Sequence, residues 1–253
     1  MALRFFWRCE STTLDGTDDY SASDTTATAN GAVSLDAGAS RVGTNGILVG
    51  GGGQHYRFDN TTIGNDLTTE GSMAFSYRVT ANPAGLADFG VILRGAGSND
   101  YFKTRIVNSY TGDAGTVRFV TRSSDTGGAE VSLNPSSGAN ALADATWYGV
   151  VVRWDQVNSL RRLEVYDSAG ALIEAVENTS AFVAPISFTS STGIRIGEDS
   201  GFAVTAHIDN VFIADAYDEP LEDYLDITSY TEYGGGGGGF QSAWACNSNQ
   251  VIQ

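Results

Sequence analysis

Lysine is almost missing from this chain. Lys103 is the only one, and 14 Lys and Arg in all face 30 Asp and Glu, for a formal net charge of −16. A surface this acidic repels phosphate backbones, which excludes nucleic acid as a natural partner. Cysteine, methionine and histidine are as scarce, two of each, and there are four prolines. Two cysteines near opposite ends, Cys9 and Cys246, cannot build a disulfide framework. They stand as two free thiols, or as one pair if the termini meet. No run approaches the ~18 apolar residues that a membrane helix needs. The opening Met1–Glu10 (MALRFFWRCE) is interrupted by Arg4, Arg8 and Glu10, too short and broken for a signal-peptide core. The sequence therefore predicts synthesis in the cytoplasm and no membrane insertion. Helical periodicity is nearly absent as well. Its best candidate is the short Pro220–Ile227 (PLEDYLDI), with proline at a first-turn position and acids early.

What is present is material for a core. The chain has 253 residues, 42% hydrophobic and 11% aromatic, which excludes wholesale disorder and suits one large all-β domain or two ordinary ones. Apolar residues recur at period two. In Ser72–Thr80, Met73, Phe75, Tyr77 and Val79 share one face while Ser72, Ala74, Ser76 and Arg78 share the other, the pattern of a half-buried strand. Further strands are predicted at 3–9, 55–59, 89–94, 101–107, 116–121, 147–154, 161–166, 172–176, 193–197 and 204–214. Turn residues fill the gaps, among them Asn82-Pro83, Gly95–Asn99, Asp167–Gly170 and Asp199–Gly201. Short strands at this spacing indicate a sandwich or barrel. Gly50–Gly53 lacks the Lys-Ser/Thr of a phosphate loop and reads as a tight turn before a strand.

One boundary is sharp: Gly234–Gly239 is an unbroken glycine run, a flexible tether. The organisation read from the sequence is a β-sandwich over 1–233, the linker 234–239 and an arm over 240–253. The arm (FQSAWACNSNQVIQ) carries Phe240, Trp244, Val251 and Ile252, too apolar for an ordinary solvated tail. These residues are expected to dock on a neighbouring subunit.

Three segments carry a resemblance. Ala206–Asp215 (AHIDNVFIAD) matches a closing strand of hydrophobic-Asp-Asn-hydrophobic form. Thr146–Asp155 (TWYGVVVRWD) and Arg161–Leu172 (RRLEVYDSAGAL) match a strand and following hairpin. Phe5–Glu10 (FFWRCE) and Gly46–Asp59 (GILVGGGGQHYRFD) match an opening strand, loop and second strand. Over about 3–227 the chain resembles concanavalin A-like jelly-roll domains of the laminin-G and MAM type, of the kind found in phage virion proteins. The resemblance implies an all-β fold, a two-sheet antiparallel jelly-roll sandwich, in which the first and last strands are neighbours.

Catalytic sets are not visible. Glu164 and Asp167, like Glu174 and Glu177, are spaced by three, which puts each pair on opposite faces of a strand, unlike a glycosidase pair. His55 and His207 belong to no metalloprotease or nucleophile motif. The acids gather in two base-free windows: Glu10, Asp15, Asp18, Asp19 and Asp24 near the start, and Asp209, Asp215, Asp218, Glu219, Glu222, Asp223 and Asp226 near the end. Pairing of the end strands would bring Glu10 close to Asp209. In MAM-type relatives the matching acids help hold calcium, so the resemblance implies a calcium ion there; the alternative is ordinary solvated acids. Lectin-like relatives also imply glycan binding. Tyr101, Phe102, Tyr110 and Tyr148 are the stacking platform the sequence offers, though the same aromatics serve equally to pack a core.

The function expected from these readings is a non-enzymatic structural or adhesion component of a virion, such as a capsid decoration, fibre or tail-associated protein. It would associate with copies of itself or other virion proteins and contact glycans. The alternative is an extracellular, calcium-dependent, lectin-like carbohydrate-binding module.

Overall fold

A computed structural model describes residues 3–14, 19–21, 26–58, 67, 69–81, 86–95, 100–107, 116–123, 131–133, 143, 145–182, 193–199 and 205–226. In chain order the strands are β1 (Leu3–Trp7), β2 (Tyr20–Ser21), β3 (Thr28–Asn30), β4 (Ser34–Asp36), β5 (Gly46–Val49), β6 (His55–Phe58), β7 (Glu70–Ala81), β8 (Leu86–Ala87), β9 (Phe89–Arg94), β10 (Asp100–Val107), β11 (Thr116–Ser123), β12 (Val131–Leu133), β13 (Trp147–Asp155), β14 (Leu160–Tyr166), β15 (Leu172–Asn178), β16 (Ile194–Glu198) and β17 (Thr205–Ala214). They form two sheets. The first runs β15-β14-β13-β7-β17-β1-β2, with β5 also on β17 and β4 on β5; the second runs β12-β11-β10-β9-β16-β6-β3, with β8 on β10. The described pairings are antiparallel. The fold is the all-β, two-sheet jelly-roll sandwich that the sequence predicts.

Alternation explains the core. Met73, Phe75, Tyr77 and Val79 of β7 point inward, opposite Phe89, Val91 and Leu93 of β9 and Phe102 of β10. Aromatic rings join the sheets: Phe5 and Trp7 of β1 meet Phe58 at 5.0 and 4.9 Å, and Trp154 of β13 meets Phe102 at 4.8 Å, all edge-on. Rings that bury this much apolar area dominate the stability of such a layer. One cation lies between the sheets. Arg161 is buried, donates to Thr121 Oγ1 (2.9 Å) and Ser180 O (2.6 Å), and stacks 3.4 Å above the Phe182 ring; burial lowers its pKa to about 10.

The second face of β7 departs from the half-buried expectation. Ser72, Ala74 and Ser76 are buried too. A second apolar cluster explains it: Leu3, Phe6, Ala74, Val151, Tyr166 and Phe212 pack under Leu221 and Leu225. The predicted helix at 220–227 is reduced to one 3-10 turn, Leu221–Tyr224, with Pro220 at its N-cap. That turn is the lid of the second cluster. A two-residue apolar anchor needs only one turn, and no longer helix forms.

The first and last strands do pair, through Leu3↔Ala214, Phe5↔Ile213, Phe6↔Phe212 and Trp7↔Val211. The Gly50–Gly53 turn forms as predicted, with Gly53 at φ 73° and Gly50 N donating to Gln54 Oε1 at 2.9 Å. The linker 234–239 and the arm 240–253 lie outside the described residues, as does Cys246, so the Cys9–Cys246 question does too. Cys9 itself is buried and free. Among the described residues no helix is long and apolar enough to cross a membrane.

Candidate functional site

Glu10 and Asp209, the two acids implied for calcium, come together on one loop. Past Trp7, Cys9 takes a left-handed backbone (φ 65°), and a bulge in β17 puts Asn210 in the same region (φ 46°). These two kinks turn Glu10 and Asp209 toward residues 41–45. Glu10 Oε1 accepts from Thr44 N (2.6 Å) and Arg8 Nη2 (3.2 Å), and its Oε2 from Asn45 N (2.9 Å). Asp209 Oδ2 accepts from Arg41 N (2.6 Å) and Val42 N (2.9 Å), and its Oδ1 from Asn210 N (2.8 Å). Gly43 sits between the two grips at φ +83°, and a Cβ there would stand 2.0 Å from Glu10 Oε1.

Every carboxylate oxygen of the pair therefore faces an N–H, whose positive end opposes a cation. Calcium needs six to eight oxygens turned inward. Among the described residues no three His, Cys, Asp or Glu side chains converge as a metal site. As placed, Glu10 and Asp209 do not fit a calcium ion; they are the anchors of a loop. Burial pushes Asp209 up to about 7, the N–H donors of Val42, Arg41 and Asn210 pull it down, and the charge of Glu10 adds to the rise. Cys9 is raised well above its ordinary value, first by burial and then by the charges of Asp209, Asp19 and Glu10.

Three acids of the late window are paired with bases from far away in sequence. Asp215 meets Arg4 (2.6 Å), Asp226 meets Arg41 (2.8 Å) and Glu222 meets Arg153 (2.5 Å). Arg153 further reaches Glu164 (3.1 Å), the carbonyl of Tyr217 (3.0 Å) and that of Glu219. Glu164 is held by Arg162 as well.

The predicted stacking platform does not form. Phe102 is in the core against Phe119 and Trp154, and Tyr148 is in the core beside Tyr77, its hydroxyl accepting from Ala143 N. Neither offers a ring face to a sugar. Tyr101 stands on the opposite face of β10 but is buried beneath cations, with Lys103 Nζ at 3.9 Å and Arg94 Cζ at 5.8 Å from its ring centre. Tyr110 lies outside the described residues, as do Phe240, Trp244, Val251 and Ile252. A tryptophan not singled out in the sequence, Trp147, is half-buried on the first sheet's outer face. Arg78 covers its ring at 5.1 Å while donating to His207 Nδ1.

The cations over Tyr101 belong to a larger pattern. Arg57 of β6, Arg94 of β9, Lys103 and Arg105 of β10, Arg118 and Arg122 of β11 and Arg195 of β16 all alternate with core residues. They therefore share the outer face of the second sheet. Seven of the chain's 14 Lys and Arg stand there. One row across the sheet reads Arg57, Arg195, Ile92, Lys103, Val120; the next reads Arg94, Tyr101, Arg122. Ile92, Val120 and Lys103 at the centre are buried, and the arginines around them are half-buried.

Two described acids brace this face. Asp88 takes Lys103 Nζ (2.5 Å) and Arg105 Nε (2.7 Å), and Asp199 takes Arg195 Nη1 (2.5 Å) and the Arg94 guanidinium. Burial raises Asp199, but the Arg94 hydrogen bonds and the charges of Arg94 and Arg195 outweigh it and hold the carboxyl below its usual value. His55, beside Asp199, is lowered chiefly by burial and stays neutral near pH 7. The sequence carried the signal for this face in the base-apolar alternation of segments such as Tyr101–Arg105 and Val117–Arg122; what hid it was the overall acidity.

No sequence-family model and no curated protein matches this chain. Solved structures do. The botulinum neurotoxin serotype D binding domain superposes with a TM-score of 0.60 at 13% identity, over 91% of this chain and 52% of that one. The binding domain of botulinum neurotoxin DC in complex with SialylT gives 0.56 at 13% identity, over 87% and 51%. The same domain in complex with rat synaptotagmin II gives 0.56 at 13% identity, over 89% and 52%. What the likeness shows is a shared β-sandwich fold. This chain spans about half the length of those chains.

Proposed function

We propose that this chain is a carbohydrate-recognition module, a binding protein and not an enzyme, and that its ligand is an acidic glycan taken by the outer face of the second sheet. The observation that carries this reading is the gathering of seven of 14 Lys and Arg on one face of a chain with net charge −16. Guanidinium groups offer paired N–H donors that match a carboxylate or sulfate. The lectin-like sandwich supports the reading, as does a neighbour solved with SialylT bound. The acidity elsewhere on the surface favours a small oxyanion on a sugar over a polyphosphate chain, which would meet repulsion beyond the face. The setting we propose is an adhesion protein of a virion, with the 240–253 arm docking on a neighbouring subunit.

A glycan panel of neutral, sialylated and sulfated oligosaccharides tests this, read at low and moderate ionic strength. Acidic glycans are expected to bind, more weakly as salt rises, and neutral ones to fail. Equal capture of neutral and acidic glycans, or capture of none, overturns it.

A further inference from the structure

The outer face is not uniform. Arg94 and Arg195 converge on Asp199, and Lys103 and Arg105 on Asp88. Arg122 is different. It stands beside Tyr101 in the Arg94–Tyr101–Arg122 row, and its Nε is buried with no hydrogen-bond partner. A charged guanidinium that has lost water without gaining an acceptor is costly, and an oxyanion at its remaining N–H groups offsets that cost. Its neighbours add to the attraction and to the rigidity: Tyr101 is buried, with Lys103 and Arg94 on its ring, and each of those cations is fixed by its own carboxylate. An incoming anion at Arg122 therefore meets a positive field from side chains already held in place, and little ordering remains to be done on binding.

We infer that Arg122, beside Tyr101, binds the charged group of the ligand: a carboxylate or sulfate carried on a sugar ring. This rests on the acidic-glycan reading above and deepens it. The half-buried guanidinium of Arg122, its Nε already desolvated, donates through its terminal N–H groups to the oxygens of the group in a forked contact. The Nε of Arg195, one of several on this face that are buried without a hydrogen-bond partner, lies in the neighbouring row and nearer the middle of the sheet. A ligand of more than one sugar unit would extend from Arg122 toward it.

The test is calorimetric titration of the full chain with sialyllactose, sulfated lactose and plain lactose. Wild type, Arg122→Gln, Arg122→Lys and Arg162→Gln are compared, the last removing the same charge from the other sheet. Arg122→Gln is expected to weaken binding of the acidic sugars about tenfold or more. Arg122→Lys restores charge without the fork and should recover only part of it. Arg162→Gln should bind as wild type. A selective loss with sialyllactose assigns a carboxylate, and with sulfated lactose a sulfate. If acidic sugars bind wild type and Arg122→Gln alike, this inference falls and the glycan reading stands. If wild type binds none of them, or binds a short single-stranded oligonucleotide instead, both fall. Thermal melts of each variant establish folding, and Arg122→Lys decides the matter if Arg122→Gln does not fold.

Discussion

Glu10 and Asp209 hold opposite ends of the same loop. One accepts from the backbone of Thr44 and Asn45, the other from Arg41 and Val42. The loop so fixed carries Arg41, which reaches Ser76 Oγ (2.7 Å) and Asp226 (2.8 Å) and so ties the first sheet to the closing turn.

Gly43 is the part of this grip with no room to change. Alanine there would be strained by φ +83° and would press its Cβ on Glu10 Oε1 and Arg8 Nη2. Gly43→Ala is expected to cost about 2 kcal/mol, read as a lowered chemical-denaturation midpoint. An unchanged midpoint means the grip is not tight.

Asp209 gives the loop a pH signature. Its folded-state pKa of about 7 lies above the ordinary 3.8, so the protonated carboxyl favours the folded state. That contribution is fully present below about pH 4 and is lost as pH rises through about 7. Asp209→Asn removes the titration. The stability difference between wild type and Asp209→Asn should therefore shift against wild type from pH 4 to pH 8, by a few kcal/mol. Parallel curves would refute the shift.

Arg153 gathers Glu164, Glu222 and two backbone carbonyls under the closing turn. Arg153→Ala leaves Glu164 buried with only Arg162 beside it. A loss of about 3 kcal/mol or more is expected, together with faster hydrogen exchange in 221–226. Exchange unchanged in that segment would show that the turn is held by Leu221 and Leu225 alone.

Cys9 should be chemically silent. Its thiol is buried and its pKa lies well above the ordinary value, so little thiolate exists at pH 8. Iodoacetamide is expected to leave Cys9 unmodified in native protein and to label it in denaturant, as peptide mass spectrometry would show. Rapid native labelling would place Cys9 in an open site.

Period-two alternation by itself determined the sheet content of this protein. It placed Met73, Phe75, Tyr77 and Val79 on one core face, and with the end-strand resemblance it anticipated β1 beside β17. The same resemblance, not the alternation, brought Glu10 near Asp209. What alternation did not determine was what each face meets. Alternation says which side chains share a face and is silent on what lies above it, so the far side of β7 was expected to be wet and is covered by Leu221 and Leu225. Phe102 and Tyr101 are adjacent in sequence, yet one is core and the other lies under cations on the outer face. Charge is decided in the same way. Several acids of the windows that hold no base in sequence find Arg4, Arg41 or Arg153, or backbone N–H groups, across the fold. The net −16 likewise concealed a basic face, because bases spaced along β6, β9, β10, β11 and β16 become neighbours only when those strands pair. Local sequence fixes the period of a strand; electrostatic partners are set by distance in space, which only the tertiary pairing of strands creates.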